Sequence, residues 1–272
     1  MSSVGSRCRH RRPAEDSVGD LSWTVFPSAR GRGLGTRAVR MLIDWAMSHP
    51  GQGGLGLTRV QTRIEPDNHS ALRVASRAGL RREGTQRVAP GTGDRPDTTA
   101  YVVLARLADD PPLSEPESFR ALLNSFLPRK RAIAQLLLRD PHDRVLLCHL
   151  TYKRDWDLPG GVVEPEESPR TGAERELSEE LGLDLSAGRL LLTDWLPAWG
   201  GWDDAVCLVF DGGVHDPALV ERLVYESREI RSAEFCDSAQ VAERAADFTA
   251  RRIQAALASL AGQGPSYSES GR

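Results

Sequence analysis

The sequence predicts an α/β fold in two units, and three observations carry that expectation. At 272 residues the chain exceeds the usual length of one domain. Apolar runs of strand length alternate with helix-period stretches in both halves. Between the halves stands DDPPLSEPE at 109–117, a proline- and acid-rich break that reads as an extended linker.

Apolar residues make up 40% of the chain and charged ones 27%, enough for buried cores under a soluble surface. The net charge of −3 is uneven: residues 1–108 hold 17 Arg and 9 acidic residues, net +8, which leaves −11 for the remainder. A basic half suits anionic ligands and an acidic half suits a metal site, with ordinary surface composition as the competing reading. Cys8, Cys148, Cys207 and Cys236 show no zinc-ligand spacing and read as reduced thiols of a cytoplasmic protein. The N-terminal stretch has no apolar signal region, and no apolar run approaches the roughly 20 residues of a membrane helix. A membrane is therefore not an expected partner.

Residues 1–21 are Arg-, Ser- and Gly-rich without periodicity and are expected to form a disordered arm. The Arg7, Arg9, Arg11, Arg12 cluster is too short to argue for nucleic acid, which is not expected as a partner. Residues 22–26 read as a strand stopped by Pro27. A glycine-rich turn, SARGRGLG, then opens a helix whose apolar face is expected at Ala38, Met41, Leu42 and Trp45. Strand, glycine turn and helix N-terminus together can cradle an anion, because free amides and the helix dipole converge there. A plain structural turn is the alternative. Residues 59–64 form the next strand, a short helix follows Asn68, and strands at 84–88 and 99–107 flank a PGTGDRPD loop.

Arg30, Gly33 and Gly35 resemble motif A of GNAT acetyltransferases, and Asn68 with the AGL at 78–80 resembles that family's second signature. The resemblance implies that Val25 and the amides of Gly31, Arg32, Gly33 and Gly35, beside Arg30, face acetyl-CoA, with Asn68 on its pantetheine side. Only residues 1–21 stand where the family has an acceptor-site region. The position where many relatives carry a tyrosine acid is Ala75, with Ser70 and Ser76 as nearby hydroxyls. A partial GNAT-like domain at 22–108 is therefore expected, followed by the linker at 109–128, in which residues 118–127, with Phe119, Leu122, Leu123 and Phe126 apolar, are expected to form a short helix packed on one of the domains.

Beyond the break, residues 132–138 and 145–150 are apolar runs joined by a polar turn, a hairpin signature. WDLPGGVVEPEESPRTGAERELSEELGL follows at 156–183. Ser168 and Pro169 suit a helix start, Gly182 suits its end, and Ala173, Leu177 and Leu181 form a core-facing stripe. Glu176, Glu179 and Glu180 stand at i, i+3, i+4, so one face holds three mutually repelling carboxylates. A divalent cation is the simplest occupant of such a face, and hard carboxylate oxygens favour Mg²⁺, with Mn²⁺ as a substitute.

This stretch resembles the Nudix box, G-x5-E-x7-R-E-U-x-E-E-x-G-U, where U is a bulky aliphatic residue. Gly161, Glu167, Arg175, Glu176, Leu177, Glu179, Glu180, Gly182 and Leu183 fill every specified position. By ordinary residue usage the chance of such a match is on the order of 10⁻¹⁰ per starting position, which sets aside a merely solvated acidic helix. The resemblance implies a Nudix α/β/α sandwich with a mixed sheet over 129–258. It implies metal ligands Gly160 (carbonyl), Glu167, Glu176, Glu179 and Glu180, with one of the helix glutamates as base. Arg175 would orient a carboxylate. Glu229 lies where some relatives place an additional catalytic glutamate, a surface residue being the alternative.

Trp195, Trp199 and Trp202 read either as base-stacking groups or as core or lid packing. Lys153 and Arg154 read either as phosphate ligands or as a solvated loop. A strand is expected at 206–210, another at 232–235, one or two helices over 239–260, and a disordered tail at 259–272. The expected function is Mg²⁺-dependent cleavage of the pyrophosphate of a nucleoside diphosphate linked to another moiety. Its partners would be that small-molecule substrate and, as one option, a second copy of the chain in a homodimer. The alternatives are an acetyl-CoA-dependent N-acetyltransferase and a non-catalytic nucleotide or CoA sensor.

Overall fold

The computed structural model describes residues 4–11, 17–89 and 100–272. Two compact units divide the chain, Met1–Pro128 and Arg129–Arg272.

In the first unit, β1 (Val4–Arg11) and β2 (Val18–Val25) pair antiparallel along their whole length. The expected disordered arm thus supplies one strand and the start of another, while 1–3 and 12–16 lie outside the described residues. A strand needs only alternate positions buried, and Leu21, 4% exposed, anchors this one despite its polar composition. Helix α1 (Leu34–Met47) buries Gly35, Val39, Ile43 and Ala46. The expected face was one position off: Met41 is 72% and Trp45 44% exposed. The helix is apolar on two adjacent faces, and the stiff branched Val39 and Ile43 take the core. Trp45 keeps its polar end wet, donating its indole N–H to the Gly53 carbonyl.

Strand β3 (Arg59–Ile64), helix α2 (His69–Arg77), and strands β4 (Arg81–Arg87) and β5 (Ala100–Leu107) complete a sheet of order β1-β2-β3-β5-β4. The PGTGDRPD loop lies outside the described residues. Only β2 and β3 run parallel, and they pair through Val18–Asp20 alone. Trp23, Thr24 and Val25 therefore leave the ladder on that side. The expected linker is corrected in extent, and the short helix expected within it forms and packs on this unit. Helix α3 (Pro116–Phe126) is bound into this unit: Ser118 and Leu122 are buried, and the Arg82 amide donates to the Ser125 hydroxyl at 3.1 Å. Its prolines shape the approach to a packed helix instead of spacing two bodies.

The second unit holds β6 (Arg131–Arg139), β7 (Val145–Leu150), β8 (Gly160–Val162), α4 (Pro169–Leu181), β9 (Leu190–Leu196) and β10 (Ala205–Val214). Then come β11 (Ile230–Cys236), α5 (Ser238–Arg244), α6 (Asp247–Leu260) and β12 (Tyr267–Glu269). The mixed sheet runs β11-β7-β6-β10-β9-β12, with β8 added on β6. Successive residues of a strand face opposite sides. Accordingly Leu136 and Leu138 pack with Ala173, Leu177 and Leu181 of α4, whereas Leu137 packs with Val241 of α5 and Ile253 of α6. The result is an α/β/α sandwich. No helix among the described residues is long and apolar enough to cross a membrane.

The expected disordered tail is instead the edge strand β12, parallel to β9. The cause is a buried charge. Asp194 is fully buried, and a buried carboxylate must be fully partnered. Its Oδ1 accepts from the Ser268 hydroxyl at 2.6 Å and the Gly271 amide at 2.8 Å, and its Oδ2 accepts from Arg252 Nε at 2.9 Å. Arg252 also donates to Gln135 Oε1 at 3.1 Å.

Candidate active site

Helix α4 starts where Ser168 accepts the Thr171 amide and Pro169 takes the first turn, and it ends where Gly182 turns left-handed at φ 66°. Its apolar stripe faces the core, which turns Glu176 and Glu180 toward β8. The glycine pair allows a close approach. A Cβ on Gly161 would lie 2.5 Å from Glu176 Cδ, and one on Gly160, at φ 126°, would lie 2.2 Å from the Ala134 carbonyl oxygen. The Gly160 amide in turn faces Glu180, donating to Oε2 at 3.4 Å.

A second wall comes from the segment ahead of β11. The Val224 amide bonds the Leu181 carbonyl and the Glu226 amide the Glu180 carbonyl, both at 3.0 Å, so this segment is docked on the C-terminal end of α4. The Thr151 amide bonds the Glu229 carbonyl at 2.8 Å, tying it also to the end of β7. Between the walls lies a cleft of about 660 Å³, with Glu176, Glu179 and Glu180 on one side and Tyr152, Arg228 and Glu229 on the other.

Glu229 was anticipated, and it does line the cleft. Tyr152, Glu226 and Arg228 line it too but carry no spacing signal in the sequence; only backbone bonding brings them in. Lys153 does not line the cleft: it pairs with Asp157 at 2.6 Å, and Arg154 is also outside the lining.

Arg175 is the hub of the carboxylates. Its guanidinium reaches Glu167 at 2.8 and 3.2 Å, Glu179 at 2.8 Å, Glu176 at 3.1 Å and the Val162 carbonyl at 3.2 Å. Those bonds hold Glu167 below the ordinary carboxylate range. Glu180 lacks such a partner. Burial pushes its carboxyl up to about 8 against the Gly160 N–H, and the charges of Glu176, Glu229 and Asp157 add to the rise. Burial also raises Glu176, despite Arg175.

The expected five-ligand metal array is not preassembled. Among the described residues, no group of three His, Cys, Asp or Glu side chains converges to hold an ion. The reason is local: Glu167 and Glu179 are turned onto Arg175, and Glu167 does not line the cleft. The donor chemistry nevertheless fits a hard divalent cation. Glu176 and Glu180 present carboxylate oxygens beside Gly160, and Glu180 has no cationic side chain of its own among the described residues.

The first unit has its own cavity of about 730 Å³. It brings together Val25, Arg30, Gly31, Gly33, Gly35 and Asn68, and leaves Arg32 outside. Gly31 and Gly33 both sit at φ 73°, and a Cβ on Gly35 would lie 3.0 Å from Val25. Asn68 caps α2 by accepting the Ala71 amide at 3.1 Å. Ser70 lines the cavity, whereas Ala75 is wholly buried in the core.

The tryptophans line neither cavity except for Trp23. Trp199 and Trp202 face each other across the Gly200–Gly201 turn, 57% and 55% exposed. Trp199 meets the Phe248 ring edge-on at 5.4 Å, and Arg131 lies over Trp202 at 5.1 Å. Trp195 is half-buried on β9.

Comparison with known proteins agrees with this division. The NUDIX domain model matches residues 128–257, and the acetyltransferase (GNAT) domain model matches residues 2–81. Diphosphoinositol polyphosphate phosphohydrolase 2 of Rattus norvegicus is 44% identical over 64 residues, 23% of this chain and 36% of that protein. The chain thus spans about a third of the length of the curated relatives it matches. A MutT protein from Methanosarcina mazei Go1 aligns at TM-score 0.41 and 22% identity, over 48% of this chain and 96% of that one. A ribosomal-protein-S5-alanine acetyltransferase from Vibrio fischeri aligns at TM-score 0.33 and 19% identity, over 39% and 55%. Residues 128–257 of this chain are a NUDIX domain, and a GNAT acetyltransferase domain precedes it at residues 2–81.

Proposed function

We propose that the second unit is a divalent-cation-dependent hydrolase that cleaves the pyrophosphate of a nucleoside diphosphate linked to another moiety. The observation that carries this reading is Glu180. It is a buried carboxylate beside Glu176 and the Gly160 strand, with no cationic side chain of its own, on the wall of an open cleft. A buried carboxylate without a cation is costly to ionise unless a ligand supplies one.

Glu176, Glu180 and the Gly160 carbonyl would hold Mg²⁺, or Mn²⁺ in its place. That ion would neutralise the diphosphate and acidify an attacking water. The chain's own groups do the rest. Arg175 holds Glu167 and Glu179 in fixed orientations. Glu229, on the opposite wall and with no ion pair among the described residues, takes the proton from the attacking water at a carboxylate oxygen. The test is a panel of nucleoside diphosphate sugars, dinucleotides and CoA esters, incubated with and without Mg²⁺. Cleavage lost without the cation and in Glu180→Gln supports the reading. Cleavage that survives both refutes it.

The first unit supports a second reading, because its cavity assembles six of the seven residues singled out for a CoA-type ligand. Acetyl-CoA would lay its anionic part along the glycine turn beside Arg30. Calorimetry with acetyl-CoA checks this, and no heat of binding would refute it. A cytoplasmic location belongs to the same overall reading, and the buried free thiols Cys148, Cys207 and Cys236 support it.

A further inference from the structure

The cleft carries an imbalance of charge that bears on what can enter it. Its lining includes five glutamates, Glu176, Glu179, Glu180, Glu226 and Glu229, and two arginines, Arg175 and Arg228. Arg175 is fully engaged, with bonds to three carboxylates and a carbonyl. Arg228 is different. Its backbone is pinned, the carbonyl accepting the Thr151 hydroxyl and the amide donating to Glu226 Oε1 at 3.2 Å. Its guanidinium makes no ion pair among the described residues. Tyr152, one residue from Thr151, places a phenol on the same wall.

We propose that Arg228, which shares the cleft lining with the Tyr152 phenol, is the anion-binding arm of the cleft, and that it confines the substrate to one diphosphate linkage on an otherwise weakly charged group. This rests on the hydrolase reading for the chemistry but not for the binding. A guanidinium suits a phosphate because it donates two parallel hydrogen bonds to adjacent oxygens. A neutral phenol adds a donor without adding repulsion. Beyond that arm, the second wall offers an anion only Glu226 and Glu229.

The consequence separates this chain from its named relatives. A diphosphoinositol polyphosphate carries phosphates around its whole ring. Once its diphosphate is engaged, the remaining phosphates need cationic partners, and among the lining residues Arg228 is the single arginine not already committed. A nucleoside diphosphate sugar concentrates its charge at one linkage and leaves neutral groups to meet the rest of the wall. Discrimination here arises from repulsion and unmatched charge against the wrong ligand.

Two measurements test the proposal, both on the full chain. The first is calorimetric binding of imidodiphosphate with Mg²⁺ at fixed ionic strength, a readout that needs no turnover. Arg228→Gln should weaken binding about tenfold or more, Arg228→Lys should recover part of it, and Arg154→Gln, outside the lining, should leave it unchanged. Unaltered binding in Arg228→Gln, or an equal loss in Arg154→Gln, overturns the arm. The exposed position of Arg228 means that its variants should keep the wild-type melting temperature. The second compares kcat/KM for a nucleoside diphosphate sugar and for a diphosphoinositol polyphosphate. The first should be favoured by about a hundredfold or more, and the reverse preference overturns the selectivity. If the wild type cleaves neither, the selectivity is overturned, the hydrolase reading is decided by the full substrate panel, and the imidodiphosphate result still decides the role of Arg228.

Discussion

Removal of the Asp194 carboxylate, as Asp194→Ala, should unfold the second unit more readily than any change on its surface. Asp194 and Arg252 are buried with side-chain exposures of 0% and 2%, and they pair at 2.9 Å. Without Asp194 the guanidinium keeps only Gln135 as a bonded partner, and its Nη2 already has none. Breaking a buried pair from one side costs about 3–5 kcal/mol, because the remaining charge cannot be solvated. The Ser268 hydroxyl and the Gly271 amide lose their acceptor as well, at about 1 kcal/mol each. Partial relaxation offsets some of this, so a loss of about 4 kcal/mol is expected. Asp194→Asn, which keeps an acceptor but not the charge, should cost about half as much. Urea unfolding of the full chain, followed by hydrogen exchange of peptides from 129–272, reads the effect. Exchange at β12 should rise first. A loss below about 1 kcal/mol for Asp194→Ala would refute the view that this buried charge holds the C-terminal strand.

Three further outcomes follow from the geometry. Gly161→Ala places a methyl 2.5 Å from Glu176 Cδ and should displace the carboxylate from its 3.1 Å contact with Arg175. The expected stability loss is about 1–2 kcal/mol, and it should shrink in a Glu176→Ala background, as a double-mutant cycle would show. Glu180→Gln should raise thermal stability in cation-free buffer at alkaline pH by about 2–4 kcal/mol. Because the folded-state value lies near 8, above the ordinary one, the folded protein holds a proton the unfolded chain has lost, so wild-type stability falls as pH climbs toward and past 8. Calorimetric melts across that range check this, and an unchanged wild-type curve would contradict it. At the β6–β7 turn, burial pushes the Asp140 carboxyl up, but bonds from the Arg144 side chain and the Arg144 and His142 amides outweigh it and leave it below the ordinary value. Its stabilisation is then complete above about pH 4 and lost as pH falls further, so the stability gap to Asp140→Asn should close under acid urea titration.

What was legible in the sequence is what short-range spacing encodes. The cap, stripe and closing glycine of α4 lie within fifteen residues of one another, so helix period alone aligns Glu176 with Glu180 on one face. The glycine turn before α1 was legible for the same reason. Glu229 was named only as one of two readings, because no local pattern ties it to α4.

Charge and composition misled where burial is decided at a distance. The polar N-terminal stretch reads as an arm until β2 offers it a partner for every residue of β1. The Gly- and Ser-rich tail reads as disordered until Asp194, far earlier in the chain, demands hydrogen-bond donors that Ser268 and Gly271 supply. A strand that pairs to satisfy another element's buried charge carries no signal of its own.

The sequence by itself determined the chemistry: a carboxylate-rich helix behind a glycine pair, in an α/β chain of two units. Tertiary structure decided the cleft. Backbone bonds from Val224 and Glu226 to the end of α4 carry Arg228 and Glu229 to the far wall, and Arg175 draws Glu167 out of the lining while it pairs with Glu179 on the near wall. Periodicity orders groups along one element, whereas the opposing wall of a site depends on contacts between elements that no local spacing records.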